Sequence, residues 1–414
     1  MKNNLTEASK HNQLAIGALE AGPDKELAEF HYLEALSYEP DSSMLHYNTG
    51  VLYDEFFRNL DKAKHHYEEA IRCNPDFADA YVAICELAMD LDDVALAKSC
   101  AEKVLGLEPK NSRNLNNMGC ILVKFDKEYD QALSYFEQAL AIAPNNSVTH
   151  ANMADAFVNL ERHEEAAASY EEALRLEPDN AFYCFYYGQI LRFHFQEYDE
   201  AETYLKKAIR LDPMQLAPYR ALRSMYCFDL HDDQRGAQIL EAAAKYFPGD
   251  PALLLEIAGI YDYQLGDFAK ARDYYEKVVA LRPNHRSAWS ALGVVCSEML
   301  KDYESGAEAY TKVLELYPDD LHANLNMGHL YFYRFGKVEL AKDYYEHALS
   351  LMKDSEEEQV YGGEVYLSLG ILYEQHEKNY FQAMEHYEKA IEIGNEDMAK
   401  RRLLALYEED FRVH

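Results

Sequence analysis

Proline recurs at a near-constant interval in this chain. Pro40, Pro75, Pro109, Pro144, Pro178, Pro213, Pro248, Pro283 and Pro318 stand 34 or 35 residues apart. Each closes a similar phrase, among them YLEALSYEP, YEEAIRCNP, FEQALAIAP, YEEALRLEP and YEKVVALRP. A fixed period of this size means one supersecondary unit copied many times, each copy covering its apolar face with the next. Such a chain grows by stacking and needs no single large core, so its 414 residues do not imply two or three separate domains. A molecule built this way usually works by offering surface.

The chain carries 73 Asp+Glu against 40 Lys+Arg, a formal net charge of −33. That balance argues against nucleic-acid binding, which needs cations to displace counterions, and favours attraction to basic partners. Seven cysteines (Cys73, Cys85, Cys100, Cys120, Cys184, Cys227, Cys296) are scattered without a CxxC pair, most where other repeats have Ala or Gly. They read as buried reduced thiols in a reducing compartment. The first residues, MKNNLTEASKHNQLAI, lack an apolar targeting core, and no run of about 18 apolar residues exists. The expectation is a soluble cytoplasmic protein with no membrane contact.

One period shows the unit. In residues 111–144, Leu115, Met118, Cys120, Ile121, Leu122 and Phe125 fall largely at helical spacing. A break follows at Asp126-Lys127-Glu128, and Ala132, Tyr135, Phe136, Ala139, Leu140 and Ile142 resume the period. Two amphipathic helices joined by a short turn make an antiparallel hairpin. Gly119 and Ala132 are small where the helices must cross closely, and Ala139 is small where the next unit packs. Pro144 stops the second helix, and Asn145-Asn146 can cap the following one.

This pattern resembles the tetratricopeptide repeat family, whose signature runs aromatic–x–x–Leu–Gly–x–x–Tyr, then Ala, aromatic, Ala and Pro. Trp289, Leu292, Gly293, Tyr310 and Pro318 match it most closely, which makes the lone tryptophan a packing anchor. Nine repeats end in Pro; two more close near Lys353 and Asn395 without it. The resemblance implies an all-α fold, a right-handed superhelical α-solenoid of about eleven helix-turn-helix repeats over residues 1–395. Residues 396–414, with Met398, Leu403, Leu404 and Tyr407 among charges, would form a C-terminal capping helix and tail.

Several features depart from the pattern. Most repeats hold 25 residues between the Gly and Pro positions, one more than is usual for the family, as in Gly50–Pro75, Gly119–Pro144 and Gly293–Pro318. The extra residue predicts either a longer first helix or a wider turn. Arg223 replaces the close-contact glycine of its repeat, with Gly236 facing it as a volume compensation. Residues 353–360 (KDSEEEQV) break the period and read as an exposed acidic loop.

In the family, first helices line a concave groove and second helices form much of the convex back. Carried over, that implication divides the charge. First-helix stretches 111–125, 214–228, 285–297 and 321–335 contain no acid, whereas the Glu runs belong to second helices and turns. An acidic back around a neutral or mildly basic groove is expected. Asparagines precede the Gly position by two residues at Asn48, Asn117, Asn152 and Asn326. They are similar to asparagines lining the superhelices of O-GlcNAc transferase and kinesin light chain, which hydrogen-bond an extended peptide backbone. An amide suits that task because it both donates and accepts. Arg192 and Arg220, with Arg223, are candidate anchors for a carboxylate or phosphate. The set of cations and asparagines that grips chaperone tails is not found in register.

Phosphate-binding, dinucleotide, zinc-protease and nucleophile-elbow motifs are all missing, so no cofactor or catalytic residue is expected. His322 and His329 share a helix face, but no third metal ligand has fitting spacing. The sequence therefore reads as a non-catalytic scaffold or adaptor holding an extended partner segment through Asn48, Asn117, Asn152, Arg192, Arg220 and Asn326. The alternative is an accessory or regulatory subunit docking a basic partner on its acidic convex face.

Overall fold

The computed structural model describes residues 6–20, 22, 24–352, 358–394 and 396–413. Among them are 23 α-helices, nine π-helical turns and no strand. Helices one to twenty-two pair as eleven antiparallel hairpins, from Glu7–Glu20 with Lys25–Tyr38 to Gly363–Leu372 with Tyr380–Ile393. The last helix, Glu396–Val413, lies against Tyr380–Ile393 and buries Ala399 and Leu406. Most of the acidic insertion, residues 353–357, lies outside the described residues. The chain forms two compact units, Met1–Asp212 with six hairpins and Pro213–His414 with five and the last helix.

The hairpin follows from the small residue in its first helix. A Cβ on Gly50, Gly119, Gly293, Gly328 or Gly370 would come within 2.4–2.6 Å of the ring of Tyr67, Phe136, Tyr310, Tyr345 or Tyr387. Each ring, fully buried, lies on the glycine backbone and closes the hairpin. At Arg223 the facing ring is replaced by Leu240, seventeen residues on. Gly236 does not compensate for the arginine side chain: a Cβ there would meet Cys227 Sγ at 2.3 Å, while Arg223 Cγ is 3.9 Å away.

The prolines do more than stop helices. Six residues after several of them, a polar side chain on the next first helix donates to the proline carbonyl. The pairs include His46 Nε2 to Pro40 (2.9 Å), Tyr81 to Pro75 (3.2 Å), His150 to Pro144 (3.1 Å), Trp289 Nε1 to Pro283 (2.8 Å) and Asn324 to Pro318 (3.0 Å). A carbonyl orphaned by the helix end is thereby satisfied, and successive hairpins are tied together. Trp289 is a packing anchor as expected, with a polar tip.

The extra residue of the long repeats resolves into neither expected alternative alone. It sits inside the first helix as a π-helical turn, at Leu52–Phe56, Leu122–Asp126, Leu191–Phe195, Met225–Asp229, Ile260–Gln264, Val295–Met299, Leu330–Arg334 and Tyr373–Glu377. The two short repeats, whose first helices are Ala78–Asp90 and Ser147–Asn159, have none. Both kinds then leave the helix through one left-handed residue, such as Asp92 (φ 56°) and Glu161 (φ 59°) or Lys127 (φ 56°) and Lys301 (φ 59°). In short repeats the closing N–H reaches five residues back, Asp93 to Ala88 and Arg162 to Phe157. In long ones it reaches six, Glu128 to Leu122 and Asp302 to Cys296. The turn is conserved and the helix end absorbs the insertion.

Candidate functional site

In residues 6–212 the candidate asparagines are engaged with neighbouring repeats. Asn48 Nδ2 donates to Asn12 Oδ1 (3.1 Å), and Asn152 Nδ2 donates to Asn116 Oδ1 (3.0 Å) and contacts Cys120 Sγ (3.2 Å). Asn117, 8% exposed, donates to Glu86 Oε1 (3.0 Å). These bonds form rungs between successive first helices. Arg192 is buried, with its guanidinium 4.5 Å from the Phe193 ring. The structure brings Asn117 and Asn152 onto adjacent first helices but puts Asn48 two hairpins earlier.

Of the two expected alternatives for the first-helix face, neutral or mildly basic, the ion pairs favour the neutral one. Arg113 meets Glu86 through two bonds (2.9 and 2.6 Å), and Lys124 meets Asp92 (2.7 Å). In the second unit Arg220 and Arg223 converge on Glu256 (3.3 and 3.5 Å), and Arg286 on buried Asp320 (2.5 Å). Each of these cations is matched by an acid from a neighbouring repeat, which counting charges within one helix could not reveal, whereas Arg334 lies over the Tyr303 ring at 4.8 Å.

Residues 213–413 contain a different arrangement. A cavity of about 630 Å³ opens along three successive first helices, lined by Tyr263, Arg286, Ser290, Val294, Met299 and Asn326 among others. Its walls are mostly apolar. Asn326 is half-buried there and its amide makes no side-chain hydrogen bond among the described residues, unlike the three other candidate asparagines. Arg286, held at the rim by Asp320, remains half exposed. The floor includes Tyr310, 1% exposed, whose hydroxyl has no hydrogen-bond partner. In four other repeats that tyrosine donates to a first-helix carboxylate, Tyr67 to Asp54 (3.3 Å), Tyr170 to Asp155 (2.5 Å), Tyr275 to Asp262 (3.0 Å) and Tyr387 to Glu374, while Tyr345 shares the unpartnered hydroxyl of Tyr310. At Tyr310 the carboxylate is replaced by Ser297, whose hydroxyl is engaged by the Gly293 carbonyl (2.7 Å). Burial pushes the Tyr310 phenol up to about 12.

Profiles of the tetratricopeptide repeat match residues 152–214, 228–285 and 258–320 in one form and 112–146 and 321–354 in another, together over half of the chain. The chain belongs to the tetratricopeptide repeat family. Solved structures of such proteins are similar in fold. The C-terminal part of a repeat protein from Cytophaga hutchinsonii is 20% identical, with 58% of this chain and 96% of that one covered and a TM-score of 0.45. YrrB, described as having an unusual peptide-binding site, is 20% identical over 46% and 97%, with a TM-score of 0.35. Human IFIT1, solved as a dimer with a capped oligonucleotide, is 17% identical over 85% and 90%, with a TM-score of 0.33. No protein of curated function matches the sequence. Tetratricopeptide repeats generally serve protein interaction, typically without catalysis.

Within this repeat framework His322 and His329 have different partners. His322 packs on Tyr361 (ring centroids 4.9 Å) while His329 approaches Glu364 (3.6 Å), and no group of three candidate ligands occurs among the described residues. Two other histidine pairs went unnoticed in the sequence. His11 and His31 meet Nδ1 to Nδ1 at 3.0 Å, and His46 and His66 at 3.1 Å. All seven cysteines are free thiols, and burial pushes Cys85 up to about 12. No described helix is long and apolar enough to cross a membrane. Tyr263, Val294 and Met299 were also missed. Comparing one register position across all repeats would have found Tyr263, because aromatic residues recur there.

Proposed function

We propose that the protein is a non-catalytic scaffold that takes an extended segment of a partner protein along its first-helix faces, with the cavity around Asn326 as the principal seat. The observation that carries this reading is the conjunction in that cavity of apolar walls with an amide, Asn326, not engaged by a side chain among the described residues. An extended peptide needs its backbone N–H and C=O paired and its side chains received by apolar surface. Asn326 supplies the first; Val294, Met299 and Tyr263 supply the second. Asn48, Asn117, Asn152 and Arg192 in the first unit, and Arg220 in the second, would position their own helices rather than offer free groups.

A peptide-display library panned against the full chain tests the reading. Selected peptides should lose binding to an Ala291→Trp variant, in which the cavity is filled, and should lose little between low and high salt. Retention on the filled variant would overturn the assignment.

A second reading has one observation in its favour. Glu68, Glu102, Glu137, Glu171, Glu276, Glu346 and Glu388 occupy one exposed register of the second helices, an acidic row suited to a basic partner. Binding there should weaken steeply as salt rises, because exposed charge is screened within about 10 Å at 0.1 M. Part of the row already has an internal role: Glu171 accepts from Tyr187 (2.6 Å) and Glu346 from Tyr373 (3.3 Å).

A further inference from the structure

We infer that the segment received by residues 213–413 is a polyproline II stretch carrying one basic residue, of the pattern Pro-x-x-Pro-x-x-Lys/Arg-x-x-Pro in either chain direction. The inference deepens the reading above, and depends on the first-helix face being the binding surface.

It starts from the residue five positions after the Gly register. In the four consecutive repeats from residue 213 to 352 that position is Phe228, Tyr263, Glu298 and Tyr333, spaced 35 residues apart. All four lie in the π-helical turns, and all are exposed, the rings by 62%, 78% and 52%. Large aromatic side chains in a packed repeat protein are normally buried, as Tyr275, Tyr310 and Tyr345 are. Phe228 carries the Arg223 guanidinium 5.4 Å from its ring centroid, and a series of rings otherwise open at one register is a surface that a ligand can cover. Tyr263 also walls the cavity, and Asn326 lies on the same helix as Tyr333, two turns before it.

The spacing selects the occupant. Successive first helices here touch through side chains, Arg220 with Glu256 and Arg286 with Asp320, as helices about 10 Å apart do, and a polyproline II helix advances about 9 Å per three-residue turn. Every third residue of such a helix therefore meets one repeat. Prolines offer flat apolar rings to aromatic side chains, and the preformed helix loses little entropy on binding. Its carbonyls, unpaired within the helix, can accept from the Asn326 amide. At the third repeat the aromatic is replaced by Glu298, which makes no ion pair among the described residues. A carboxylate in a row of rings asks for a cation at the matching position of the ligand. The same charge disfavours a single-stranded nucleic acid, the other polymer that stacks on aromatic rows, whose phosphates Glu298 and Asp262 would repel.

The experiment is fluorescence anisotropy of the full chain with a labelled Pro-x-x-Pro-x-x-Lys-x-x-Pro peptide (x = Ala). A matching peptide with Ala for each Pro, the Lys→Glu peptide and oligouridylate serve as the other probes. The proline peptide should bind, and Phe228→Ala and Tyr263→Ala should each weaken it about 2- to 12-fold. Glu298→Lys should lose the Lys peptide and gain the Glu peptide, a reversal that a misfolded variant could not produce. Equal binding of the Pro-free peptide overturns the polyproline inference while leaving the groove reading intact. Proline-peptide binding that survives Phe228→Ala and Tyr263→Ala places the ligand elsewhere and overturns both. Ring-dependent binding of oligouridylate in place of the peptide also overturns it.

Discussion

The first-helix faces of the two units use similar residues to different ends. In residues 6–212 the polar side chains bond one another across repeats: Asn48 with Asn12, Asn117 with Glu86, Asn152 with Asn116. In residues 213–413 the same register offers Asn326 with an open amide beside a cavity, while exposed rings five positions after the Gly register occur in both units, Phe193 in the first and Phe228, Tyr263 and Tyr333 in the second. The lesson is that an asparagine at one repeat position is not one function. What the preceding repeat presents decides whether the amide holds the stack or faces a ligand. Glu86 and Asn116 close the first kind of site; Ser290, shorter, leaves the second open.

Substitutions can break this contrast, beginning where the largest loss is expected. Tyr170→Phe removes the partner of Asp155, a carboxylate that burial already holds above its usual range, and should cost about 2–3 kcal/mol in urea unfolding. Tyr310→Phe, which removes a hydroxyl with no partner, should leave stability unchanged or raised.

Acid should act next, and most on the first unit, where His66 is held lowest, although burial also holds His329 and His386 of the second unit below the usual value. His46 Nε2–H donates to Pro40, so its Nδ1 accepts from His66 Nδ1–H. Burial, then the neighbouring His46 and His65, hold His66 down at about 4 from the usual 6.5. Between those values the unfolded chain binds a proton that the folded chain refuses, so stability falls as pH drops from 7 and the loss is complete below about 4. Because the ring is partly solvated, about 1–2 kcal/mol is expected, and His66→Gln should flatten the profile.

Glu86→Ala releases Arg113 and buried Asn117 together and should cost about 1–2 kcal/mol. Asn326→Ala should cost under about 0.5 kcal/mol yet weaken partner binding, the reverse of the Glu86 outcome. Equal stability losses at the two sites would erase the distinction between the faces.

Much of the fold was legible because periodicity is a property of the sequence itself. The prolines set the register, and Gly119 and Ala132 marked the close crossing. The site was less legible. Asn326 was singled out together with Asn48, Asn117 and Asn152, yet nothing within a repeat separates it from them. The separating residues, Asn12, Glu86 and Asn116, lie 31 to 36 positions away. The charge matching of Arg220 by Glu256 was hidden for the same reason. Tyr263 was passed over because tyrosines at other registers are core, and exposure is decided by the π-helical turn that carries it.

That turn has a consequence for motion. A π-helical turn skips the usual four-residue hydrogen-bond spacing, so each long repeat has a weaker end to its first helix. Amide exchange along the chain should therefore be banded, with fast bands near residues 52–56, 122–126 and 295–299, and none at the ends of Ala78–Asp90 and Ser147–Asn159. The exposed rings of Phe228, Tyr263 and Tyr333 ride on these looser ends.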